Sequence, residues 1–275
     1  MIQLSKRLRL IAEKVEQGSR LADIGSDHAL LPAFLAQQGR LASGVAGEVN
    51  PGPLAAARKQ IADAGLGRLI SVRGGNGLEV IAPGEVDVIT VAGMGGALIA
   101  EILEAGRRTG KLAGVARLIL QPNVGEELVR RWLRNTGWML AEETIVEEDG
   151  KIYEILVAVL PAAQQHSSAG SSLASRGQEG VGSSEDSLYE ERELAGFGII
   201  TTEDWLRFGP YLLRQADPVF VEKWRRETGK LERVAQSLSL SELEESKTKR
   251  QGVLDEINRL KELTACLQKD RPLFQ

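Results

Sequence analysis

The sequence predicts an α/β fold in which a mostly parallel sheet of seven strands ends in an antiparallel hairpin, followed by a C-terminal α-helical domain. Three observations lead to this prediction. Short apolar runs alternate with helical stretches over residues 21–135, as in βαβ units. Asp149-Gly150 separates the last two apolar runs and is a strong hairpin signal. Beyond a Ser- and Gly-rich segment, the chain becomes rich in Leu, Glu, Lys and Arg, which is typical of long helices.

The elements follow in order along the chain. Leu4, Leu8, Ile11 and Val15 recur at helical spacing, so an amphipathic helix comes first. Apolar runs of strand length come next, and a helical pattern follows each of the first five. The predicted strands are 21–24, 43–48, 69–73, 86–91, 118–121, 139–146 and 153–159, and the predicted helices are 29–38, 53–64, a short 78–81, 97–105 and 126–135.

Changes in composition predict three segments. Residues 1–161 form the α/β domain, which binds the ligand. Residues 162–187 are mainly Ser, Gly, Gln and Ala, and they form a flexible linker or insertion because they cannot bury enough apolar area to offset the entropy of ordering. Residues 188–275 form a coiled-coil-like helical hairpin, with Gly252 and residues 239–241 as possible breaks between its two long helices.

Composition also excludes several classes of protein. The chain is 43% hydrophobic and 26% charged, which is typical of a soluble globular protein. No run approaches the ~18 apolar residues of a membrane span, and the charged N-terminus is not a secretory signal, so no membrane partner is expected. A single cysteine, Cys266, excludes an internal disulfide framework and suits the cytoplasm. With only two histidines, no metal site is predicted.

The first predicted strand leads into Asp23-Ile24-Gly25-Ser26-Asp27-His28, which combines an acidic residue, a glycine turn and a helix start. Glycine allows close approach of the backbone to a ligand, and a helix start offers free N–H groups, so this turn predicts a nucleotide site. The second and third glycines of the dinucleotide fingerprint are missing. Asp27 would repel a pyrophosphate, whereas it would tolerate a cationic sulfonium.

Four further strand ends carry polar or glycine-rich turns. A carboxylate at the end of the second strand can accept both hydroxyls of a ribose, and an amide after the third can hydrogen-bond an adenine edge. All of these turns lie at the carboxyl ends of strands, where open α/β sheets bind ligands. In order, they contain Glu48-Val49, Asn76-Gly77-Leu78, Ala92-Gly93-Met94-Gly95-Gly96 and Gln121-Pro122-Asn123.

This order of turns resembles the class I S-adenosylmethionine-dependent methyltransferases, whose sheet is Rossmann-like. More closely, six strings resemble the bacterial TrmK family, which methylates N1 of adenine 22 in tRNA: LSKRL (4–8), ADIGSDHA (22–29), GLEV (77–80), VAGMGGALIA (91–100), LILQPN (118–123) and EEDGKIYEIL (147–156). The Ser/Gly-rich segment is absent from the family pattern. Asn76 stands where relatives usually place Asp, so we expect altered affinity rather than lost binding.

The resemblance implies S-adenosylmethionine as cofactor and tRNA as substrate. Asp27 would act as an acceptor or electrostatic partner near the reacting centre, with His28 and Asn123 orienting the reactants. Adenine N1 carries a lone pair, so catalysis would depend on positioning and electrostatics, with the target base taken out of its stack. The implied cofactor contacts are Asp23, Gly25, Ser26, Asp27, His28, Glu48, Val49, Asn76, Gly77, Leu78, Ala92, Gly93 and Met94.

A substrate RNA requires cations, which are unevenly distributed although the net charge is −4. Residues 1–20 hold five basic residues against two acids, and residues 105–135 hold seven against two. Phosphate contacts from these stretches would be salt-dependent. The predicted RNA-binding residues are Lys6, Arg7, Arg9, Arg58, Arg107, Arg108, Arg130 and Arg134.

Two other functions remain open from the sequence alone. A NAD(P)-linked oxidoreductase is disfavoured by the missing glycines and the final hairpin. An RNA-binding or scaffold protein with a degenerate cofactor-binding core is the other alternative, and Asn76 is the feature that points to it. The Leu-rich tail can pack internally or against a second copy, so a monomer and a weak homodimer are both compatible with the sequence.

Overall fold

A computed structural model describes residues 2–161, 186–194, 196–241 and 243–267. The chain divides into two compact units between Glu185 and Asp186. The predicted linker, 162–187, lies outside the described residues except at its last two positions, so its flexibility stays a prediction.

The first unit contains the predicted seven-stranded sheet. Its spatial order is β3-β2-β1-β4-β5-β7-β6. The pairs among β1–β5 are parallel, whereas β7 runs antiparallel to both β5 and β6, which confirms the predicted terminal hairpin. The strands are β1 (Ser19–Ile24), β2 (Leu41–Glu48), β3 (Ile70–Gly74), β4 (Val88–Met94), β5 (Arg117–Pro122), β6 (Met139–Glu148) and β7 (Lys151–Val159).

Within residues 2–161, five α-helices accompany this sheet: α1 (Lys6–Lys14), α2 (Leu30–Gln37), α3 (Pro51–Asp63), α4 (Gly96–Arg108) and α5 (Glu126–Thr136). Local signals explain their ends. The Ser5 hydroxyl accepts a hydrogen bond from Leu8 N at the start of α1, and α5 ends at Gly137, whose φ of 77° suits glycine. The predicted short helix at 78–81 is a 3-10 turn, Gly77–Val80. The apolar stripe of α1 packs into the core, where Ile11 and Val15 are fully buried.

In the second unit, the described residues from 186 onward form a short antiparallel hairpin and four α-helices. The hairpin was missed by the sequence prediction. Its strands are β8 (Arg192–Leu194) and β9 (Gly198–Ile200), and the helices are α6 (Thr202–Phe208), α7 (Pro210–Gln215), α8 (Pro218–Leu238) and α9 (Glu244–Leu267).

The long helices α8 and α9 confirm the predicted pair, and the break falls just after Leu238 as expected. The alternative break at Gly252 is wrong, because this residue lies inside α9. A Gly in a helix interior costs about 1 kcal/mol relative to Ala, which is too little to interrupt a helix anchored by the buried residues Ile257, Leu260 and Leu263.

No helix among the described residues is long and apolar enough to cross a membrane. Within the same ranges, no group of three or more His, Cys, Asp or Glu side chains is placed to hold a metal ion.

Candidate functional site

The candidate site lies at the carboxyl edge of the sheet, around the point where β1 separates β2 from β4. Gly25 N and Ser26 N, in the turn after β1, each donate a hydrogen bond of 2.9 Å to Gly47 O at the end of β2. Gly25 has a φ of 69°, and a Cβ added there would overlap the Met94 side chain. Met94 at the end of β4 therefore packs against the turn after β1, and the positive φ favours glycine at position 25.

Asp23, at the end of β1, stabilises this turn through hydrogen bonds to its carboxylate. Its side chain is buried, Ser26 Oγ donates to one carboxylate oxygen, and Thr90 Oγ1 donates to the other at 2.6 Å. Burial raises the pKa of Asp23 to about 6, against the lowering effect of these two hydrogen bonds. Both oxygens are engaged within the protein, so Asp23 supports the turn rather than presenting a free carboxylate to a ligand.

Replacing Asp23 with Asn should remove a pH dependence of stability. The folded-state pKa is raised above the unfolded value, so the unfolded chain loses its proton first as the pH rises, and ionisation destabilises the folded state progressively up to and beyond pH 6. Between pH 5 and pH 8 we expect wild type to lose about 1 kcal/mol relative to Asp23→Asn. Urea unfolding of both proteins at each pH measures this loss, and a constant difference between them would contradict it.

Glu48 closes β2 with a carboxylate that is only half engaged. Its side chain is buried, and Oε1 accepts hydrogen bonds from Asn50 N at 2.8 Å and from Asn50 Nδ2 at 3.0 Å. In the part of the chain that the structure describes, Oε2 accepts no hydrogen bond. Val49, the next residue, is 60% exposed. The pair therefore offers one oriented acceptor for hydroxyl groups beside an apolar surface that suits a base.

The turn after β3 is shaped by Asn76 and Gly77. Glu79 N donates to Asn76 O at 3.1 Å and Asn76 N donates to Glu79 Oε2 at 3.3 Å, which starts the 3-10 turn with the Asn76 side chain exposed. Gly77 has a φ of 52° and packs against Ile102. Leu78 was predicted to contact the cofactor. Its side chain is buried, so only its backbone can contact a ligand.

The carboxyl ends of β4 and β5 are joined by hydrogen bonds. Gly93 N donates to Gln121 Oε1 at 3.1 Å, and Asn123 Nδ2 donates back to Gly93 O at 2.8 Å. Asn123 N also donates to Met94 O at 2.7 Å. Ala92 and Met94 are half-buried, whereas Gly93 and Asn123 are exposed. This arrangement presents a rigid glycine-rich turn beside an exposed side-chain amide.

Asp27 and His28 lie on the exposed side of the first turn. Their side chains are 77% and 55% exposed, and His28 Nε2 lies 3.3 Å from Asp27 Oδ1. His28 and Ala29 both have positive φ values, 56° and 52°, although neither is glycine. Such backbone strain costs roughly 1–3 kcal/mol per residue and is concentrated at ligand sites. The two side chains are thus presented by a strained turn rather than buried as helix caps.

The predicted RNA-binding residues separate into three groups. Arg130 is fully buried between Glu143 and Glu154, so the prediction of an RNA contact there is wrong. Arg7 points inward, and its Nη1 donates to Gln121 Oε1. The others remain at the surface: Lys6 Nζ donates to Glu147 O, Arg107 and Arg108 pair with Glu104, and Arg9, Arg58 and Arg134 are exposed.

Sequence reasoning overlooked the roles of Thr90, Asn50 and Gln121. Thr90 lies beside Asp23 in the parallel register of β1 and β4, so strand alignment was the signal that could have found it. Asn50 follows Glu48 by two residues, the spacing at which a side-chain carboxylate accepts from a following N–H. For Gln121, full burial of a polar side chain is the signal, and burial is not visible in the sequence.

The chain is similar to known methyltransferases. A family model described as a methyltransferase domain matches residues 4–156. The chain is 40% identical over 263 residues to the tRNA (adenine(22)-N(1))-methyltransferase of Bacillus subtilis (strain 168), covering 95% of this chain and 97% of that protein.

Solved structures show the same relationship. The Bacillus subtilis M1A22 tRNA methyltransferase TrmK has a TM-score of 0.78 and 38% identity, with 96% of this chain and all of that one covered. A Streptococcus pneumoniae protein solved in complex with S-adenosyl-L-methionine has a TM-score of 0.72 and 41% identity, with 95% of this chain and 100% of that one covered.

Proposed function

The chain belongs to the TrmK family of bacterial methyltransferases, and on that premise we propose that it transfers a methyl group from S-adenosylmethionine to N1 of adenine 22 in tRNA. The observation that carries the proposal is the extent of the similarity to the Bacillus subtilis enzyme, which runs through both units. A methyltransferase of another specificity would be expected to share the sheet alone, because specificity resides in what is added to the fold.

The residues at the carboxyl edge suit S-adenosylmethionine. The free Oε2 of Glu48 suits the ribose hydroxyls, and Val49 suits the adenine face. Gly93 and Met94 border the position of the methionine portion, and Gly25 lets the backbone of the first turn approach it closely. Bound there, the cofactor supplies an electrophilic methyl group. The chain supplies a shaped, polar cradle for it.

The target base requires positioning more than proton transfer. N1 of neutral adenine has a lone pair and no proton to remove, so the enzyme needs no strong general base. The methylated base is cationic, and the exposed carboxylate of Asp27 stabilises that charge. His28 and Asn123 orient the base by hydrogen bonds. Holding N1 in line with the methyl group in this way contributes most of the rate.

An apolar rim supports binding of an extruded base. Within residues 2–161, the exposed large hydrophobic side chains are Val49, Leu98, Val124 and Leu128. Each lies in a turn or the first helical turn at the carboxyl edge of the sheet. Aliphatic side chains bind the faces of bases taken out of a stack. The rim thus suits the adenine and its immediate neighbours.

The RNA backbone would be held by the cations that remain at the surface. Arg9 and Arg58 are exposed and have no ion-pair partner among the described residues. Lys6, Arg107, Arg108 and Arg134 complete the proposed contacts, and Arg130 is withdrawn. Such contacts predict binding that weakens steeply with salt. The proposal places the protein in the cytoplasm with its tRNA substrate, as a monomer or weak homodimer.

The function is tested by incubating the protein with labelled S-adenosylmethionine and unmodified tRNA and then mapping the product by primer extension. N1 methylation blocks Watson–Crick pairing, so extension should stop next to adenine 22. A tRNA with guanine at that position is the matched control and should accept no label. No label on either RNA would contradict the enzymatic function and favour the scaffold alternative, and a stop elsewhere would contradict the position.

A further inference from the structure

Arg7 connects the first helix to the candidate site. It lies on α1, and its guanidinium crosses to the end of β5, where Nη1 donates a hydrogen bond to Gln121 Oε1. Its backbone N donates to Glu148 Oε1 at 3.1 Å, and its guanidinium carbon lies 4.8 Å from the centre of the Tyr153 ring. Only 21% of the side chain is exposed. The cation is therefore fixed in place by the sheet rather than directed to solvent.

Gln121 connects Arg7 to Gly93 at the carboxyl end of β4. It is fully buried, and its Oε1 also accepts from Gly93 N. Its Nε2 donates to Pro122 O at 2.7 Å and to Asn123 Oδ1 at 3.1 Å. Because the amide oxygen can only accept and the amide nitrogen can only donate, the Arg7 cation and Gly93 N, both donating to Oε1, together fix which way the Gln121 amide points.

The orientation of Gln121 in turn sets that of Asn123. With Gln121 Nε2 donating to Asn123 Oδ1, the Asn123 nitrogen is turned towards Gly93 O, to which it donates at 2.8 Å. The side-chain donors run from Arg7 through Gln121 and Asn123 to Gly93 O, and Gly93 N closes a ring by donating back to Gln121 Oε1. A charged donor at the start makes the first of these hydrogen bonds stronger than a neutral one.

We propose that Arg7 is a positioning residue for methyl transfer, which sets the orientation of the Gln121 and Asn123 amides and thereby fixes the Gly93 turn. The inference rests on the proposed function and differs from the RNA contact expected for Arg7 from the sequence. Nη1 lies 3.6 Å from the position that a Cβ on Gly93 would occupy, so the cation lies beside Gly93 as well as beside Gln121. Its Nε is buried without a hydrogen-bond partner among the described residues, which is a cost that a phosphate-binding surface arginine would not carry.

The chain offers a matched control on the same helix. Lys14 also joins α1 to the sheet, through an ion pair with Glu142 on β6, but it has no contact with Gln121. Lys14→Met therefore removes a link between helix and strand but leaves the hydrogen bonds of the Gln121 and Asn123 amides intact. Arg7→Met removes the charge and the guanidinium contacts with Gln121, Tyr153 and Glu148, whose Oε2 lies 4.0 Å from Nε, whereas Arg7→Lys keeps the charge and one donor nitrogen.

Single-turnover methylation at saturating tRNA and S-adenosylmethionine measures the step that positioning affects. We expect Arg7→Met to slow it about 10- to 100-fold, with the KM for tRNA within about threefold of wild type, because a misplaced reactant loses rate before it loses affinity. Arg7→Lys should recover part of the rate, and Lys14→Met should stay within about twofold of wild type. If Arg7 instead contacts phosphate, Arg7→Met will raise the KM and reduce the salt slope of tRNA binding by about one, which would overturn the proposal.

A second readout does not depend on methyl transfer. The side-chain amide resonances of Gln121, identified by their loss in Gln121→Glu, should shift in the NMR spectrum of Arg7→Met and remain in place in Lys14→Met. Unchanged Gln121 resonances in Arg7→Met would also overturn the proposal. If the Gln121 resonances shift in Arg7→Met but the wild-type protein methylates no RNA, Arg7 still orients the Gln121 amide, and only the proposed function is contradicted. Should Arg7→Met fail to fold, the same comparison is made with Arg7→Lys. Its one donor nitrogen must shift the Gln121 resonances away from their wild-type positions, by more than Lys14→Met does.

Discussion

Replacing Arg130 with Met is expected to lower the free energy of unfolding by about 3–5 kcal/mol, because it removes the buried guanidinium that pairs with two buried carboxylates. The guanidinium is completely buried, and its Nε donates to Glu143 Oε1 on β6 at 2.6 Å. Its Nη2 donates to Glu154 on β7, whose side chain is also fully buried. Burial alone would lower the pKa of Arg130, but attraction and hydrogen bonds from both carboxylates outweigh it and raise the pKa.

Urea unfolding monitored by tryptophan fluorescence measures this loss. Arg58→Met is the matched control, since Arg58 is exposed on α3 and its replacement should change stability by less than about 0.5 kcal/mol. The triple replacement Arg130→Met, Glu143→Gln, Glu154→Gln removes every charge of the group and should recover much of the lost stability. Equal stability of Arg130→Met and Arg58→Met would show that the buried group contributes little.

The same variant also distinguishes a buried role from an RNA contact. If Arg130 only anchors α5 to β6 and β7, folded Arg130→Met protein keeps the wild-type salt dependence of tRNA binding. If it contacted a phosphate, the slope would fall by about one. The structure favours the first outcome, since the guanidinium has no exposed surface.

Arg130 illustrates what a charge count cannot reveal. It lies on α5 beside Val129 and one turn before Leu133, so it shares the buried face of that helix. The carboxylates that compensate it come from strands 13 and 24 residues further along the chain. Only the register of β6 against β7 brings them together. Counting basic residues in a stretch therefore predicted a surface where the fold places an interior ion group.

The fold itself was more predictable because its signals are local. The rhythm of strands and helices follows from residue spacing, and the β6–β7 hairpin follows from the turn chemistry of Asp149-Gly150. The β8–β9 hairpin was missed because strands of three residues are too short to show alternation. Gly252 was overestimated as a break because helix propensity is weaker than the packing of a long apolar face.

The candidate site was predictable as a set of turns but not as a set of contacts. Every glycine-rich or polar turn follows a strand, and parallel strands bring their carboxyl ends to one edge. The engagement of Asp23 by Thr90, and of Gln121 by Arg7, depends on neighbours that are 67 and 114 residues apart. The sequence indicates which residues reach the edge, and packing determines which of them stay free for a ligand.

Replacing Glu48 with Gln should raise the Kd for S-adenosylmethionine about 10- to 100-fold. The two donors of Asn50 both require an acceptor, so the Gln oxygen must take the place of Oε1 and the Gln nitrogen must take the place of Oε2. The position proposed to accept ribose hydroxyls would then hold a donor. Loss of charge-assisted hydrogen bonds of about 1.5–3 kcal/mol corresponds to this change in affinity.

Calorimetric titration measures the effect, and Asp63→Asn, an exposed carboxylate at the end of α3, is the control that should bind as wild type does. A thermodynamic cycle assigns the loss to the ribose: S-adenosylhomocysteine is compared with its 2′-deoxy analogue on both proteins. The wild-type protein should bind the analogue more weakly, whereas Glu48→Gln should bind both ligands with similar affinity. Equal discrimination by the two proteins would contradict a ribose contact at Glu48, because the carboxylate would then act elsewhere on the cofactor.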